Sequence, residues 1–454
     1  MIPKVAVMFH QLGPYHWSRL STAASQMHII CVELSAESSE YAWDKLDGEA
    51  PFERITLFPE NDSRSAPRAE LISRLCSTLD QRRPQVVVIP GWSDAASLAA
   101  LQWCAAASVP AVVMSDSADW DERRVGWKEF VKRRIIGLFS SALVGGTPHA
   151  DYVNQLGMAR DRVFRGYDAV DNRYFEDKAA ESRKHKVESR NRYGLPEKYF
   201  LASARFIEKK NLPRLLQAYA SYRKKAESRK QRAESAEGNA EMLKTEMLKG
   251  DTDKAESRKQ KAESTGAKAE RLKTEMLKAA GPWDLVLLGS GALRESLCAL
   301  RSALGLDAVV HLPGFKQYPD LPTYYGLASA FIHASTTEQW GLVVNEAMAS
   351  GLPVLVSNRC GCAPDLVHEG VNGFTFDPCN VEQLARLMVR LAAAAKPRLD
   401  EMGANSAKII QNWGPDRFAT GLKEAAEKAI EVGPKKASLV SDALLWALSR
   451  IRCA

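Results

Sequence analysis

The sequence predicts an α/β protein built from two doubly wound, Rossmann-like domains in tandem, facing a central cleft. Three observations carry this reading. Short apolar runs alternate with helix-like spans, the pattern of a parallel sheet with helices on both faces. The runs are continuously apolar rather than alternating, as burial on both sides requires. The series then occurs twice, and 454 residues exceed the size at which one hydrophobic core keeps growing.

In the first series the runs are VAVMF (5–9), HIICVEL (28–34), ITLF (55–58), VVVIPGW (86–92), AVVMSD (111–116) and SALVGG (141–146), each ending at polar or glycine residues. Between two of them, 95-AASLAALQWCAAAS-108 has helical spacing. The second series is YFLASARF (199–206), DLVLLGSG (284–291), VVHLPGF (309–315), AFIHAS (330–335), PVLVSN (353–358) and GFTFDP (373–378). The boundary falls near residue 170, giving an N-terminal domain over 1–170, a C-terminal domain over 171–420 and a helical tail over 421–454. Ligands of such sheets bind beyond the carboxyl ends of the strands, so the loops there are where chemistry is expected.

One segment breaks the alternation. Residues 225–249, KAESRKQRAESAEGNAEMLKTEMLK, recur as 254–278, KAESRKQKAESTGAKAERLKTEMLK, within a charged insertion over 225–280. Its Lys, Glu, Ala, Arg and Ser content favours helix and supplies little core. Gly250 and Gly281-Pro282 are break points, so the insertion is either one long rod or a helical hairpin. It is either a solvated excursion between the helix 212–224 and the strand 284–289 or a coiled coil that binds a protein partner.

At 45% hydrophobic and 26% charged, the composition is that of a globular chain. It has no run of about 18 or more uncharged apolar residues, and its start, MIPKVAVMFHQLG, lacks the form of a signal peptide. A cytoplasmic location is expected. The eight cysteines are scattered except for Cys360 and Cys362, and Cys31 and Cys104 sit in apolar segments, which suits a reducing compartment. The pair 360-CGC-362 has neither C-x-x-C spacing nor a second ligand pair, which favours a structural loop over a metal or redox site. A net charge of +7 is modest for this length and calls for no nucleic-acid partner.

The second domain supplies a connected set of motifs. The segment 204-ARFIEKKN-211 puts Arg205 and Lys210 in a loop leading to a helix, a fitting place for two cations to meet phosphate. Either alone would pass for a surface charge. In 289-GSGALRE-295, Gly289 and Gly291 shape a strand-to-helix turn that allows close backbone approach to a ligand. In 335-STTEQWGLVVNEAMASG-351 a strand leads to a loop with Glu338, Trp340 and Gly341, and then to a helix beginning near Leu342. A helix N-terminus offers free N–H groups and a positive dipole end, which suits a diphosphate. Glu346, about one turn inside that helix, could serve two ribose hydroxyls while Glu338 serves those of a sugar, because carboxylates accept from vicinal diols.

The segment 338-EQWGLVVNE-346 resembles the E-x7-E motif of retaining nucleotide-sugar glycosyltransferases of the GT-B fold, family 4. The similarity extends in order through 204-ARFIEKKN-211, 288-LGSGALRESL-297, 312-LPGF-315 and 350-SGLPVLVS-357, nearly the whole second domain. It implies that Arg205 and Lys210 hold the diphosphate, Gly314 and Phe315 the base, and Glu346 the ribose. Glu338, with the amides around Trp340 and Gly341, would hold the donor sugar. Retention of configuration follows from the family alone.

The first domain resembles the acceptor domain of the same family, less specifically. Its first strand runs into 10-HQLGPYHWSRL-20, where the resemblance puts Gly13 in a tight loop approaching the donor phosphates, with His16 and Arg19 close behind on the acceptor side. His10 and His16 read as structural or hydrogen-bonding groups in preference to catalytic bases. Relatives carry a histidine after the strand that here reads 111-AVVMSDS-117, where this chain has Ser115 and Asp116. Whether any side chain there contacts the donor sugar is left open. The stretch 119-DWDERRVGWKEFVKRR-134 is too densely charged for a core helix, and either lines the acceptor cleft through Asp119, Arg123 and Lys128 or is simply solvated.

The resemblance implies transfer of a sugar from a UDP- or GDP-sugar to a glycan or lipid-linked acceptor, in polysaccharide, glycolipid or cell-envelope glycan synthesis. No cofactor is implied. No D-x-D metal motif stands beside a strand end, so a metal-independent reaction is expected. The alternatives are a nucleotide-sugar epimerase or hydrolase on the same plan and a scaffold that uses the repeats. In the tail, 438-SLVSDALLWALSRIRCA-454, Leu439, Leu444, Leu445, Leu448 and Ile451 fall near one helical face, with Arg450 and Arg452 at its end. That helix either packs back on the first domain or makes peripheral contact with an anionic bilayer at the inner face of the membrane.

Overall fold

The computed structural model describes residues 2–36, 46, 48–60, 62–248, 281–436 and 445. Two parallel sheets organise the chain. The first contains β1 (Lys4–Phe9), β2 (His28–Ser35), β3 (Glu53–Phe58), β4 (Val86–Pro90), β5 (Ala111–Ser115), β6 (Ser141–Val144) and β7 (Val163–Arg165), in the order β3-β2-β1-β4-β5-β6-β7. The second contains β8 (Tyr199–Ser203), β9 (Asp284–Leu288), β10 (Val310–Gly314), β11 (Ala330–His333), β12 (Val354–Ser357) and β13 (Gly373–Phe376), in the order β10-β9-β8-β11-β12-β13. The predicted strands are all present. The sequence reading missed β7, whose three residues, VFR, are partly exposed and leave no apolar run.

Helices cover both sheets. Those of the first are α1 (Pro14–Ala23), α2 (Arg68–Arg82), α3 (Ala95–Ala107), α4 (Gly126–Ile136) and α5 (Thr147–Gln155). Next come α6 (Asn172–Lys184), α7 (Lys186–Tyr193), α8 (Leu212–Leu248), α9 (Arg294–Ala303), α10 (Leu321–Leu327), α11 (Leu342–Ala349), α12 (Ala363–Leu366), α13 (Val381–Ala392), α14 (Lys396–Ile410) and α15 (Pro415–Val432).

The continuous apolar runs have a direct structural cause. Along β1, Val5 and Val7 point into one buried cluster with Leu20, Phe418 and Leu422, while Ala6 and Met8 point into another with Leu75 and Leu98. In the second sheet Leu201 and Val286 feed one core, and Phe200 and Leu285 the other. Each fully buried side chain of this size contributes roughly 1.5–3 kcal/mol through removal from water.

Strand order fixes where a ligand can enter. In the first sheet β1 lies between β2 and β4, and in the second β8 lies between β9 and β11, so adjacent connections leave in opposite directions at those two points. Crevices therefore open beyond the ends of β1 and β8. The loops there carry Gly13 and the 205–210 segment.

Helix α15 returns to the first sheet. Phe418, Leu422, Ala425, Ala426 and Ala429 are buried against it, and Ser141 Oγ donates to the carbonyl of Ala425 at 2.6 Å. The crossing begins at Pro415, earlier than the tail read from sequence. Leu445 is buried in the first domain's core. The other residues of the expected amphipathic face, with Arg450 and Arg452, lie outside the described residues.

The repeat insertion starts as a continuation. Helix α8 runs from Leu212 to Leu248, anchored by buried Leu215, Leu216, Tyr219 and Tyr222, and passes residue 225 without a break. The second copy, 254–278, and Gly250 lie outside the described residues. No helix among the described residues is long and apolar enough to cross a membrane.

Candidate functional site

The two glutamates of the E-x7-E segment occupy different environments at the interdomain cleft. Helix α11 follows Gly341, whose φ of +103° is in the left-handed region. A Cβ there would meet its neighbours only at 3.5 Å, so backbone conformation rather than crowding calls for glycine. Glu346, in the second turn of α11, is fully buried. Tyr325 Oη donates to its Oε2 at 2.5 Å, and Tyr15 Oη, from the first turn of α1 in the other domain, donates to Oε1. The Tyr15 ring meets Tyr318 edge-on at 5.6 Å, and Tyr318 stacks on Tyr174 at 4.9 Å.

Burial raises the Glu346 carboxyl to about 7, with the two tyrosine hydrogen bonds opposing the rise. The sign of the linkage follows. Between the ordinary value and about 7 the unfolded carboxyl has lost its proton while the folded one retains it, so stability falls as pH rises through that window. Urea unfolding should therefore show wild type losing on the order of 3 kcal/mol relative to Glu346→Gln between about pH 4.5 and pH 7.5. Parallel pH profiles for the two proteins would contradict this.

Glu338 sits in the loop between β11 and α11, hydrogen-bonded through its backbone N–H to Arg359 O at 3.1 Å. Its Oε2 collects three contacts: Lys210 Nζ, Ser335 Oγ at 3.1 Å and His333 Nε2 at 3.2 Å. Burial pushes this carboxyl up, but the His333 hydrogen bond and the Lys210 charge outweigh it and hold Glu338 well below the usual carboxylate range. Burial lowers His333 in turn, against the pull of Glu338. Lys210 ends a short turn, Glu208–Lys210, that closes on Asn211 with φ +57°. Asn211 Nδ2 clamps that turn by donating to Ala334 O at 3.0 Å and Pro378 O at 2.8 Å. The Lys210 ammonium, which carries three N–H donors, thus gives one of them to Glu338. Arg205 lies half-buried in the same loop.

The other residues singled out from the sequence fall into two groups. Gly314 has φ +85°, a Cβ there would meet Arg294 Nη1 at 3.9 Å, and Phe315 next to it is exposed. Leu342 is the first residue of α11. The Trp340 ring packs against Trp413 at 5.1 Å, and its Nε1 donates to Asn345 Oδ1 at 2.9 Å. Gly289 and Gly291 stand where two parts of the chain meet. Their close approach is to the chain's own backbone, since a Cβ would fall 1.8 Å from Ala204 O at Gly289 and 2.8 Å from Phe206 O at Gly291. These glycines set the 204–206 loop against the β9–α9 turn.

On the first domain, Gly13 caps α1 in an extended conformation and donates to His16 Nδ1 at 3.1 Å. The His16 ring lies 4.3 Å from that of Phe9, and burial, aided by Arg19, pulls it down to about 3. A neutral cap suits that environment better than a base. Arg19 is buried, with Nε donating to Ala169 O at 2.8 Å and Nη2 lying 3.9 Å from Asp168 Oδ1. Burial and the Asp116 charge raise Asp168 to about 8. Asp116, raised by burial, accepts across the cleft from Gln339 Nε2 at 3.3 Å. His10 faces Asp94 at 3.9 Å. Asp119, Arg123 and Lys128 are exposed. Cys360 and Cys362 are buried free thiols.

Sequence reasoning missed Tyr15, Tyr325, His333 and Asp168. A signal existed for two of them: Tyr15 follows Gly13 in the loop already suspected, and His333 stands at the end of the strand leading to Glu338. Nothing local marks Tyr325 or Asp168, which arrive through tertiary packing.

Comparisons with known proteins bear on this arrangement. Residues 270–408 match the family model "Glycosyl transferases group 1". An uncharacterized glycosyltransferase of Haemophilus influenzae is 34% identical over 140 residues, covering 29% of this chain and 39% of that protein. A D-inositol 3-phosphate glycosyltransferase of Streptomyces griseus is 33% identical over 143 residues, covering 31% and 30%. The matched stretch thus spans well under half of either relative. Anabaena HepE, solved in complex with UDP, superposes with a TM-score of 0.59 at 15% identity, covering 92% of this chain and 98% of that one. The fold is that of the GT-B glycosyltransferases. In this GT-B chain the matched stretch contains both glutamates, His333, Tyr325 and the α11 N-terminus, whereas Arg205 and Lys210 precede it.

Proposed function

We propose that the protein transfers a sugar from a nucleotide-diphosphate donor to an acceptor hydroxyl with retention of configuration, as a family 4 enzyme working in the cytoplasm without a metal or cofactor. One observation carries the reading: Glu338 and Glu346 stand on either side of the α11 N-terminus at the interdomain cleft, with Lys210 on the first of them. Glu346 takes the ribose hydroxyls and Glu338 those of the sugar. The base lies by Gly314 and Phe315. The diphosphate lies toward Arg205, Lys210 and the amides at Gly341 and Leu342. Cleavage of the anomeric C–O bond puts negative charge on the departing diphosphate, which these groups stabilise electrostatically. The acceptor oxygen bonds to the anomeric carbon from the face the nucleotide leaves, and its proton passes to the departing phosphate oxygen.

Thermal stabilisation by a panel of nucleotides and nucleotide sugars tests the donor assignment, because a ligand bound only by the folded state raises its melting temperature. UDP compounds come first, since the similar fold of HepE was solved with UDP. The donor that stabilises is then incubated with glycan and lipid-linked acceptors. Consumption that requires an acceptor supports transfer, and acceptor-independent consumption favours an epimerase or hydrolase. Chelator should leave the rate largely intact; loss that magnesium restores would reject the metal-independent mechanism.

Tyr15 adds a sharper expectation. Its hydroxyl occupies Glu346 Oε1, where a ribose hydroxyl would donate. Tyr15→Phe should therefore bind free nucleoside diphosphate more tightly, by roughly tenfold if one charge-assisted hydrogen bond is freed. Weaker binding, measured by calorimetry, would mean that Tyr15 holds the nucleotide instead of competing with it.

A further inference from the structure

Where α8 passes from its packed segment into the first repeat copy, it runs beside α13, and the two helices enclose a groove of about 680 Å³. Helix α8 lines it with Lys224, Lys225, Arg229 and Arg232, and α13 with Arg386 and Arg390. Val389 and Ala393 add an apolar patch. No aspartate or glutamate lines the groove among the described residues. The acid beside it is Glu382, in the first turn of α13, which fastens the two helices by holding Lys225 Nζ at 2.9 Å and accepting from Ser221 Oγ at 2.6 Å. Its charge also reaches Arg386. Glu227 pairs with Arg223 at 3.3 Å, and the Arg390 guanidinium lies 4.2 Å over the Phe374 ring. Lys224, Arg229, Arg232 and Arg386 make no ion pair among the described residues. Helix formation alone disfavours this arrangement. Lys225 with Arg229, and Arg386 with Arg390, are like charges four residues apart, a spacing that weakens a helix, and the two pairs stand on opposite walls of one groove. An anion between them offsets the repulsion.

We propose that this groove binds a small ligand carrying several phosphate groups, at a site separate from the donor cleft. Guanidinium groups from both walls suit phosphate, which they meet with paired N–H donors, and ammonium groups add point charge. The size agrees. From Lys224 to Arg232 the helix rises about 12 Å, a length that a few phosphate groups in a row can follow, and the volume falls in the range of about 300–1,000 Å³ typical of small-molecule sites. A protein partner fits less well, because a stable protein interface buries about 1,200 Å² or more and two turns of groove supply a small part of that. Position separates the groove from the donor loop. Helix α8 starts next to Asn211, whose Nδ2 donates to Pro378 O just ahead of α13, so both helices leave from the turn that carries Lys210. Lys224 lies about 18 Å along α8 from Leu212, out of reach of that turn.

Calorimetric titration of sodium tripolyphosphate into the full-length protein tests the site without reference to activity, so its failure would leave the transfer reading standing. At about 0.15 M salt wild type should bind, and more weakly as salt rises. Arg229→Gln/Arg386→Gln removes one cation from each wall and should lower the affinity by about tenfold or more. Lys210→Ala should retain it. Arg229 and Arg386 are exposed, so their double variant should melt with wild type. ATP titrated in parallel distinguishes the sources of phosphate: affinity equal to that of tripolyphosphate means that the phosphates alone are read, and tighter binding means that a nucleoside is read with them. In both cases the double variant should lose it. No binding to wild type, an unchanged affinity in Arg229→Gln/Arg386→Gln, or a loss found only in Lys210→Ala would each overturn the proposal. So would a short single-stranded RNA that binds more tightly than tripolyphosphate and is released by the double variant, which would make the groove part of a nucleic-acid surface.

Discussion

On the proposed transfer reading, turnover of the nucleotide sugar should fall by roughly two orders of magnitude or more when Lys210 is replaced by alanine, the scale seen when a charge-stabilising group is removed from a reacting centre. Two effects combine. The departing diphosphate loses a cation, and the Glu338 carboxylate loses the ammonium that shares its Oε2, leaving Ser335 and His333 to satisfy it. Glu338 is nearly buried, so an unpaired charge there also costs stability, and melting curves must accompany the kinetics. Arg205→Ala, in the same loop, should lower turnover on a similar scale. Near-normal turnover in both variants would sink the phosphate assignment.

What the sequence made legible follows from the range of the interactions. Both sheets could be read because parallel strands buried on two faces need unbroken apolar runs, and Val5 to Met8 or Phe200 to Ala202 satisfy that need locally. The short β7 could not, since its pairing with β6 and not its composition makes it a strand. Glu338, Glu346 and Gly341 were legible because one continuous segment carries loop, cap and helix. The partners of the two acids were not. Tyr15 lies 331 residues from Glu346, a separation closed by the meeting of the two domains, and Lys210 lies 128 from Glu338, closed by the fold of the second domain. The same limit applies at Gly289 and Gly291: the sequence shows a glycine pair at a strand end but not the chain's own loop at Ala204 and Phe206 that packs against it.

The second large effect separates the two acids. Above about pH 7, where Glu346 is ionised, Glu346→Gln retains one acceptor oxygen but loses the charge, so it should weaken binding of every sugar carried on the same nucleotide, and of the free nucleoside diphosphate. Hydrogen bonds to charged groups are worth about 1.5–3 kcal/mol, which corresponds to a roughly ten- to hundredfold loss of affinity. Glu338→Gln should behave differently. Its contacts with Lys210, Ser335 and His333 all fall on Oε2, and no hydrogen bond reaches Oε1 among the described residues, which suits a role toward a ligand hydroxyl. It should cut transfer while leaving affinity for the free diphosphate nearly unchanged. Calorimetric titration of UDP and GDP into wild type and both variants is the most direct measurement of the proposed site. One of the two nucleotides should bind wild type and Glu338→Gln alike and bind Glu346→Gln at least about tenfold more weakly. Binding of neither nucleotide to wild type, or a loss confined to Glu338→Gln, would contradict the assignment.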